Sequence, residues 1–250
     1  MKSISFLAAA MVALSASPQP ASGIITSVVE TGGDNEATDT IVAQWTGQTF
    51  TVSIANEPIP GATIGQPYTV GTYGVNSPAF VDRINRYAND LTNNVPIPSY
   101  LLGSDYIMSG NDNRDNPAYR LDVTVNGAAR AYMLIDNRLS DGNAATPPTF
   151  GPTSMQWILD QGWIATATAN NRTASAGVPD EVGFDEGAND TIDQYFSVFY
   201  KDFGAGTFSL LQADNAGRNM YGVVVQPIPE PRTLALIGLG LAGILRRRRG

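Results

Sequence analysis

Tyr119-Arg120-Leu121-Asp122-Val123-Thr124-Val125-Asn126-Gly127, followed by Ala129 to Ile135, is the stretch that decides the fold. Tyr119, Leu121, Val123 and Val125 alternate with Arg120, Asp122 and Thr124, the period-two pattern of a strand with one face in a core and the other in water. Asn-Gly accepts the positive φ angles of a tight turn, so the stretch predicts a β-hairpin.

Working outward, Ile24 to Val29, Thr40 to Trp45, Thr49 to Ile54 and Pro67 to Tyr73 are further short β-branched or aromatic runs. Gly, Asn, Asp and Pro clusters separate them. Trp157 to Leu159, Trp163 to Ala167, Tyr195 to Tyr200, Thr207 to Leu211 and Tyr221 to Val225 continue the series, and Gly204-Ala205-Gly206 and Ala216-Gly217 predict a meander of the last three. One amphipathic helix is expected among them. Ser77 offers a cap, Pro78 suits a first helical position, and Phe80, Ile84, Tyr87 and Leu91 share a stripe that ends near Asn93-Asn94. Many short strands with one helix predict a mainly β protein, an antiparallel β-sandwich of jelly-roll-like type. A parallel β-helix would need a repeat of about 20 residues, and the sequence has none.

The chain contains neither Cys nor His. Disulfide staples, thiolate or imidazole metal sites and every His-based triad are thereby excluded, leaving carboxylate, Tyr, Ser or Lys chemistry. Residues 24–226 carry 22 acidic against nine basic side chains, a net charge of −13. That charge disfavours nucleic acid and anionic lipid as partners of this domain.

Several clusters bear chemistry. Asp185, Asn189, Thr191 and Asp193 place oxygen side chains at alternate positions of a loop, a spacing that suits calcium. Gly187, Asp190 and Val198 depart from the EF-hand pattern, and an acidic turn exposed to solvent is the plainer reading. Asn111 to Asn116 reads as a turn because Asn and Asp side chains bond their own backbone. Were it to meet Asp136-Asn137-Arg138, either Asp112, Asp115 and Asp136 would hold calcium or Arg138 would pair with a buried Asp. Trp157 and Trp163 flank Gly162, and an indole beside amides or carboxylates is how a pyranose is gripped, although Trp is commoner in a core.

The two ends carry addresses. Lys2, the apolar run Ile4 to Leu14 and the small residues after it read as a secretory signal peptide, residues 1–23, with cleavage after Ser15 or Gly23. Residues 24–226 form the secreted domain. Pro229-Glu230-Pro231 then holds the chain extended, Leu234 to Leu245 is free of charge, and Arg246, Arg247, Arg248 and Arg249 follow. Twelve helical residues reach about 18 Å, short of the roughly 30 Å hydrocarbon core, so this transmembrane helix spans thinly and the arginines snorkel at its end. Gly238, Gly240 and Gly243 spell a dinucleotide fingerprint, but no βαβ unit surrounds them.

Residues 227–250 resemble the PEP-CTERM sorting signal of Gram-negative bacteria, which has these three parts in this order. The resemblance implies export through the inner membrane, processing by an exosortase, a membrane transpeptidase, and delivery to the cell surface or extracellular matrix of bacteria that make exopolysaccharide. The resulting expectation is a non-catalytic structural or adhesive protein of that layer. A carbohydrate-binding module and a carboxylate-based polysaccharide-degrading enzyme are the alternatives.

Overall fold

The computed structural model describes residues 23–33, 42–56, 59–215 and 217–229. The expected signal peptide except for Gly23, together with Glu230, Pro231, the segment 234–245 expected to be a helix and the arginine cluster, lies outside the described residues. The strands are β1 (Ile25–Thr31), β2 (Gln44–Trp45), β3 (Thr49–Thr51), β4 (Pro67–Thr69), β5 (Arg86–Ala88), β6 (Asp105–Met108), β7 (Arg120–Val125), β8 (Ala129–Asp136), β9 (Ile164–Ala165), β10 (Glu181–Asp185), β11 (Gln194–Phe203), β12 (Gly206–Leu211) and β13 (Gly222–Pro227). The single α-helix among the described residues, α1, is Gln156–Asp160.

Two antiparallel sheets organise them. One has the order β1-β7-β12, the other β2-β6-β13-β8-β11-β10-β5 with β9 on β11, while β3 and β4 pair separately. Both contribute to one hydrophobic core. Phe203 of the larger sheet stacks on Phe208 of the smaller, centroids 4.1 Å apart, and so marks the face between them. The opposite face of the larger sheet is also covered. Its Tyr87, Tyr106 and Tyr132 lie against Tyr73 and Tyr100, from the long segment between β4 and β6.

The expected hairpin at Asn126-Gly127 does not form: β7 pairs with β1 and β12, and β8 with β11 and β13. The reason lies in the two strands' burial. β7 alternates and keeps one face in water, whereas seven of the eight β8 residues are buried, and a strand buried on both faces belongs at the centre of a covered sheet. The turn therefore crosses between sheets. Its backbone groups serve the neighbouring strands, Asn126 N–H donating to Ile24 O (3.1 Å) and Ala128 O accepting from Ile228 N–H (2.8 Å).

The meander fails in the same way, since β11 and β13 lie in the large sheet and β12 in the small one. What replaces both is a long ribbon. Arg120 to Val125 pairs with Leu211 to Gly206, and beyond the bend Ala129 to Asp136 pairs with Phe203 to Phe196. One antiparallel ribbon folded across two sheets is the jelly-roll-like feature of the molecule.

The helix expected between Ser77 and Asn94 is absent, and its stripe is split. Phe80 and Tyr87 are buried but Leu91 is 84 % exposed. Ser77 Oγ accepts from Gly74 N–H rather than from a helix start, and Tyr87 N–H donates to Ser77 O. Asn and Thr give this segment little helical preference. As β5, Tyr87 instead pairs with Phe184 and reaches the aromatic layer of Phe184 and Phe196. The strand expected at Trp157 to Leu159 is α1, with Met155 before it in the left-handed region (φ 50°).

Candidate functional site

The Asp185 to Asp193 loop joins β10 to β11 and is organised by Asp185, whose side chain is fully buried. Its Oδ1 accepts from the N–H groups of Gly187 (3.1 Å) and Asn189 (3.2 Å), and Oδ2 from that of Asp190 (2.9 Å). Arg86, its register partner on β5, donates Nε and Nη2 to Oδ2 at 3.1 and 2.9 Å. Burial alone would raise this carboxyl. The Arg86 bonds and the loop amides outweigh it and hold Asp185 below the ordinary carboxylate range.

The other residues of the calcium reading are engaged locally. Asn189 Oδ1 accepts from Thr191 N–H (3.0 Å), and Asp193 Oδ2 from Glu186 N–H (2.8 Å). Among the described residues no three carboxylates gather so as to hold a metal ion. In this loop the Arg86 guanidinium supplies the positive charge.

The second acidic cluster follows the ion-pair alternative. Asp136, fully buried, takes Arg138 Nη2 at 2.6 Å, and Arg138 reaches on to Glu186 at 3.1 Å. Asp112 pairs with Arg83 and Arg114 instead. In both clusters a buried carboxylate is thus matched by a guanidinium, which offsets the cost of taking its charge out of water.

Trp157 and Trp163 do not offer stacking faces. They are 6 % and 7 % exposed, pack edge to face at 6.5 Å and belong to the core. Trp157 Nε1–H donates to Gln212 O (2.8 Å), so even its polar edge is occupied. A pyranose needs an open ring face, and neither indole presents one.

Two concavities that sequence reasoning missed lie on the larger sheet. A cleft of about 640 Å³ is lined by Asp90, Asn93, Tyr195 and the outer wall of the 185–193 loop, Asp190 to Ile192. Tyr195 donates to Asp90 in a short hydrogen bond. Burial first, and that bond second, push the Tyr195 hydroxyl up to about 12. A hollow of about 340 Å³ is lined by Tyr100, Tyr132, Tyr200, Arg130 and Thr166. Tyr100 stacks on Tyr132 (5.2 Å, 25°), and its hydroxyl donates to Asp180 Oδ2 (2.8 Å). Arg130 covers Tyr200 at 4.4 Å and is forked onto Asp202 at 2.6 and 2.8 Å. The only sequence signal for this hollow is the alternation of Arg130 and Tyr132 inside an otherwise apolar strand.

The remaining feature is where the chain leaves the sandwich. Pro227 closes β13 opposite Ala129, Ile228 is still bonded to Ala128, and Pro229 follows at once. A mainly β domain whose last strand runs without a linker into Pro-Glu-Pro, an apolar segment and four arginines defines a protein built for C-terminal sorting. Residues 227–249 match the family model described as the PEP-CTERM protein-sorting motif, so the chain carries that motif. The motif implies export and cell-surface sorting by an exosortase. No curated protein and no solved structure matches the chain.

Proposed function

We propose that this is a non-catalytic sandwich that takes a structural or adhesive place in the exopolysaccharide layer once an exosortase has removed its tail. The observation that carries the reading is the sorting motif set directly on the last strand of a folded domain. The His-free, Cys-free composition and the pairing of most buried carboxylates support a non-catalytic role. Fractionation of the native host tests it: the protein is expected in envelope and culture fluid, and in a strain without the transpeptidase it accumulates in the membrane. Protein confined to the cytoplasm contradicts the reading.

A second reading, carbohydrate binding, moves from the tryptophans to the Tyr100, Tyr132 and Tyr200 hollow. Its rings are fixed by stacking and hydrogen bonds before any ligand arrives, and Arg130 adds a donor for hydroxyl or carboxylate groups. A stacked aromatic contributes about 1 kcal/mol beyond area. Calorimetric affinity for host polysaccharide fractions is therefore expected to fall by about tenfold or less in Tyr100→Ala. Equal heats for both proteins would remove this reading.

A further inference from the structure

We infer that the end of the sandwich formed by the turns Asn126 to Ala128 and Gly204-Ala205 is the surface on which the membrane-embedded transpeptidase docks during tail removal. The inference rests on the sorting reading above. Four chain segments meet at that end. Asn126 N–H bonds Ile24 O, Ile228 N–H bonds Ala128 O, and β7 and β8 meet the β12 and β11 ends through Val125 to Gly206 and Ala129 to Phe203. The chain thus leaves the domain toward the sorting motif, and enters it at Gly23 and Ile24, beside the same two turns.

Reach makes contact unavoidable. From Pro227 to Glu230 is three residues, at most about 11 Å of fully extended chain. The Ile228 hydrogen bond shortens the free part further. A protein catalyst that grips the Pro-Glu-Pro segment must therefore lie against whatever flanks the β13 exit, because no linker holds the sandwich away.

The composition of that end fits such an approach. Asn126, Gly127, Ala128, Gly204, Ala205 and Gly206 are small and uncharged in a domain of net charge −13. Of the ionic groups close behind it, Arg130 and Asp202 neutralise each other, and Asp105, which accepts from Ile25 N–H at 3.2 Å, is fully buried. Small turns let two backbones come close, and the absence of acids from the turns themselves leaves no exposed, unpaired carboxylate in them to repel an approaching surface at the roughly 8 Å range of charge at physiological salt. Gly206 is held to glycine by its φ of 125°, but no fold requirement keeps Gly127 and Gly204 small: a Cβ at either meets nothing within 4 Å, and neither has a positive φ.

That freedom supplies the test, made on the full chain in its native host with pulse-chase and intact mass as readout. Gly127→Tyr and Gly204→Tyr add neutral bulk, and Gly127→Glu and Gly204→Glu add charge. Both double variants are expected to melt like the wild type yet lose the tail about tenfold more slowly, a barrier increase of about 1.4 kcal/mol. A spacer of about ten Gly/Ser residues after Ile228 restores the rate by lengthening the reach. Wild-type rates in the tyrosine variants overturn the docking surface, and slowing by glutamate alone assigns the effect to lipid headgroups instead. A wild-type chain that never loses its tail contradicts the sorting reading itself, so the two failures are distinct.

Discussion

Gly222→Ala will destabilise the domain by about 3 kcal/mol, the upper part of the range for an overpacked core. Gly222 opens β13 opposite Leu134, and a Cβ there would stand 2.0 Å from Tyr87 Oη, 3.0 Å from Tyr87 Cζ and 3.3 Å from Leu134 Cβ. The tyrosine has nowhere to go. Its ring is wedged between Tyr73 at 5.1 Å, Phe184 at 5.7 Å and Phe196 at 6.3 Å, on the face of the sheet covered by the β4 to β6 segment. For a domain of this size, 3 kcal/mol lowers Tm by about 6–12 °C. The Tyr87 hydroxyl is buried without a hydrogen-bond partner, so Tyr87→Phe alone should be neutral or slightly stabilising. Removing that oxygen also removes the 2.0 Å clash and leaves the Cζ contact at 3.0 Å. The double variant is therefore expected to regain more than half of the loss, and additive single effects would contradict the packing described for this layer.

Arg86→Ala should cost about 3–5 kcal/mol, because it leaves Asp185 as a buried carboxylate without its cation. The Asp185 side chain is fully buried and that of Arg86 is 15 % exposed. Arg86→Lys keeps the charge but loses the fork to Oδ2 and should fall between. The pH dependence carries a sign. The folded carboxyl lies below the unfolded value of about 3.9, so Asp185 contributes stability above about pH 4 that is lost as pH falls through its folded pKa. In Arg86→Ala that acid-side loss shrinks, and urea midpoints of the two proteins converge as pH is lowered. Because Arg86 already faces Asp185 and Asp190, and Asn189 and Asp193 are spent on loop amides, added calcium and chelator should give coincident wild-type melts; a calcium-dependent rise in Tm would restore the metal-binding reading of Asp185, Asn189, Thr191 and Asp193.

Strand content was legible because strands such as β7 and β12 alternate, and alternation is local. β6 and β10 were not, since every residue of Asp105–Met108 and Glu181–Asp185 is buried and no period marks them. Pairing was legible only in part. Asn126-Gly127 signals a turn whether it closes a hairpin or a corner between sheets, and what decides between them is the burial of Ala129–Asp136 on both faces, which Arg130 and Asp136 within that strand conceal from the sequence. The 77–94 segment shows the opposite failure: a helical stripe was present, but Tyr87 gained more from the aromatic layer of the sheet. The tryptophans were legible as aromatic but not as buried, and the tyrosine hollow exists only through pairing across β8, β11 and the loop carrying Tyr100. The sorting motif needed no fold at all, because its three parts are contiguous.

Intact mass of the protein recovered from the native host's envelope and culture fluid tests the central claim most directly. The account predicts a species lacking 15 or 23 N-terminal residues and about 20 C-terminal residues, with the sandwich from Ile24 to Gln226 entire. A surface species that retains Leu234 to Arg249 would contradict it and make the tail a lasting anchor.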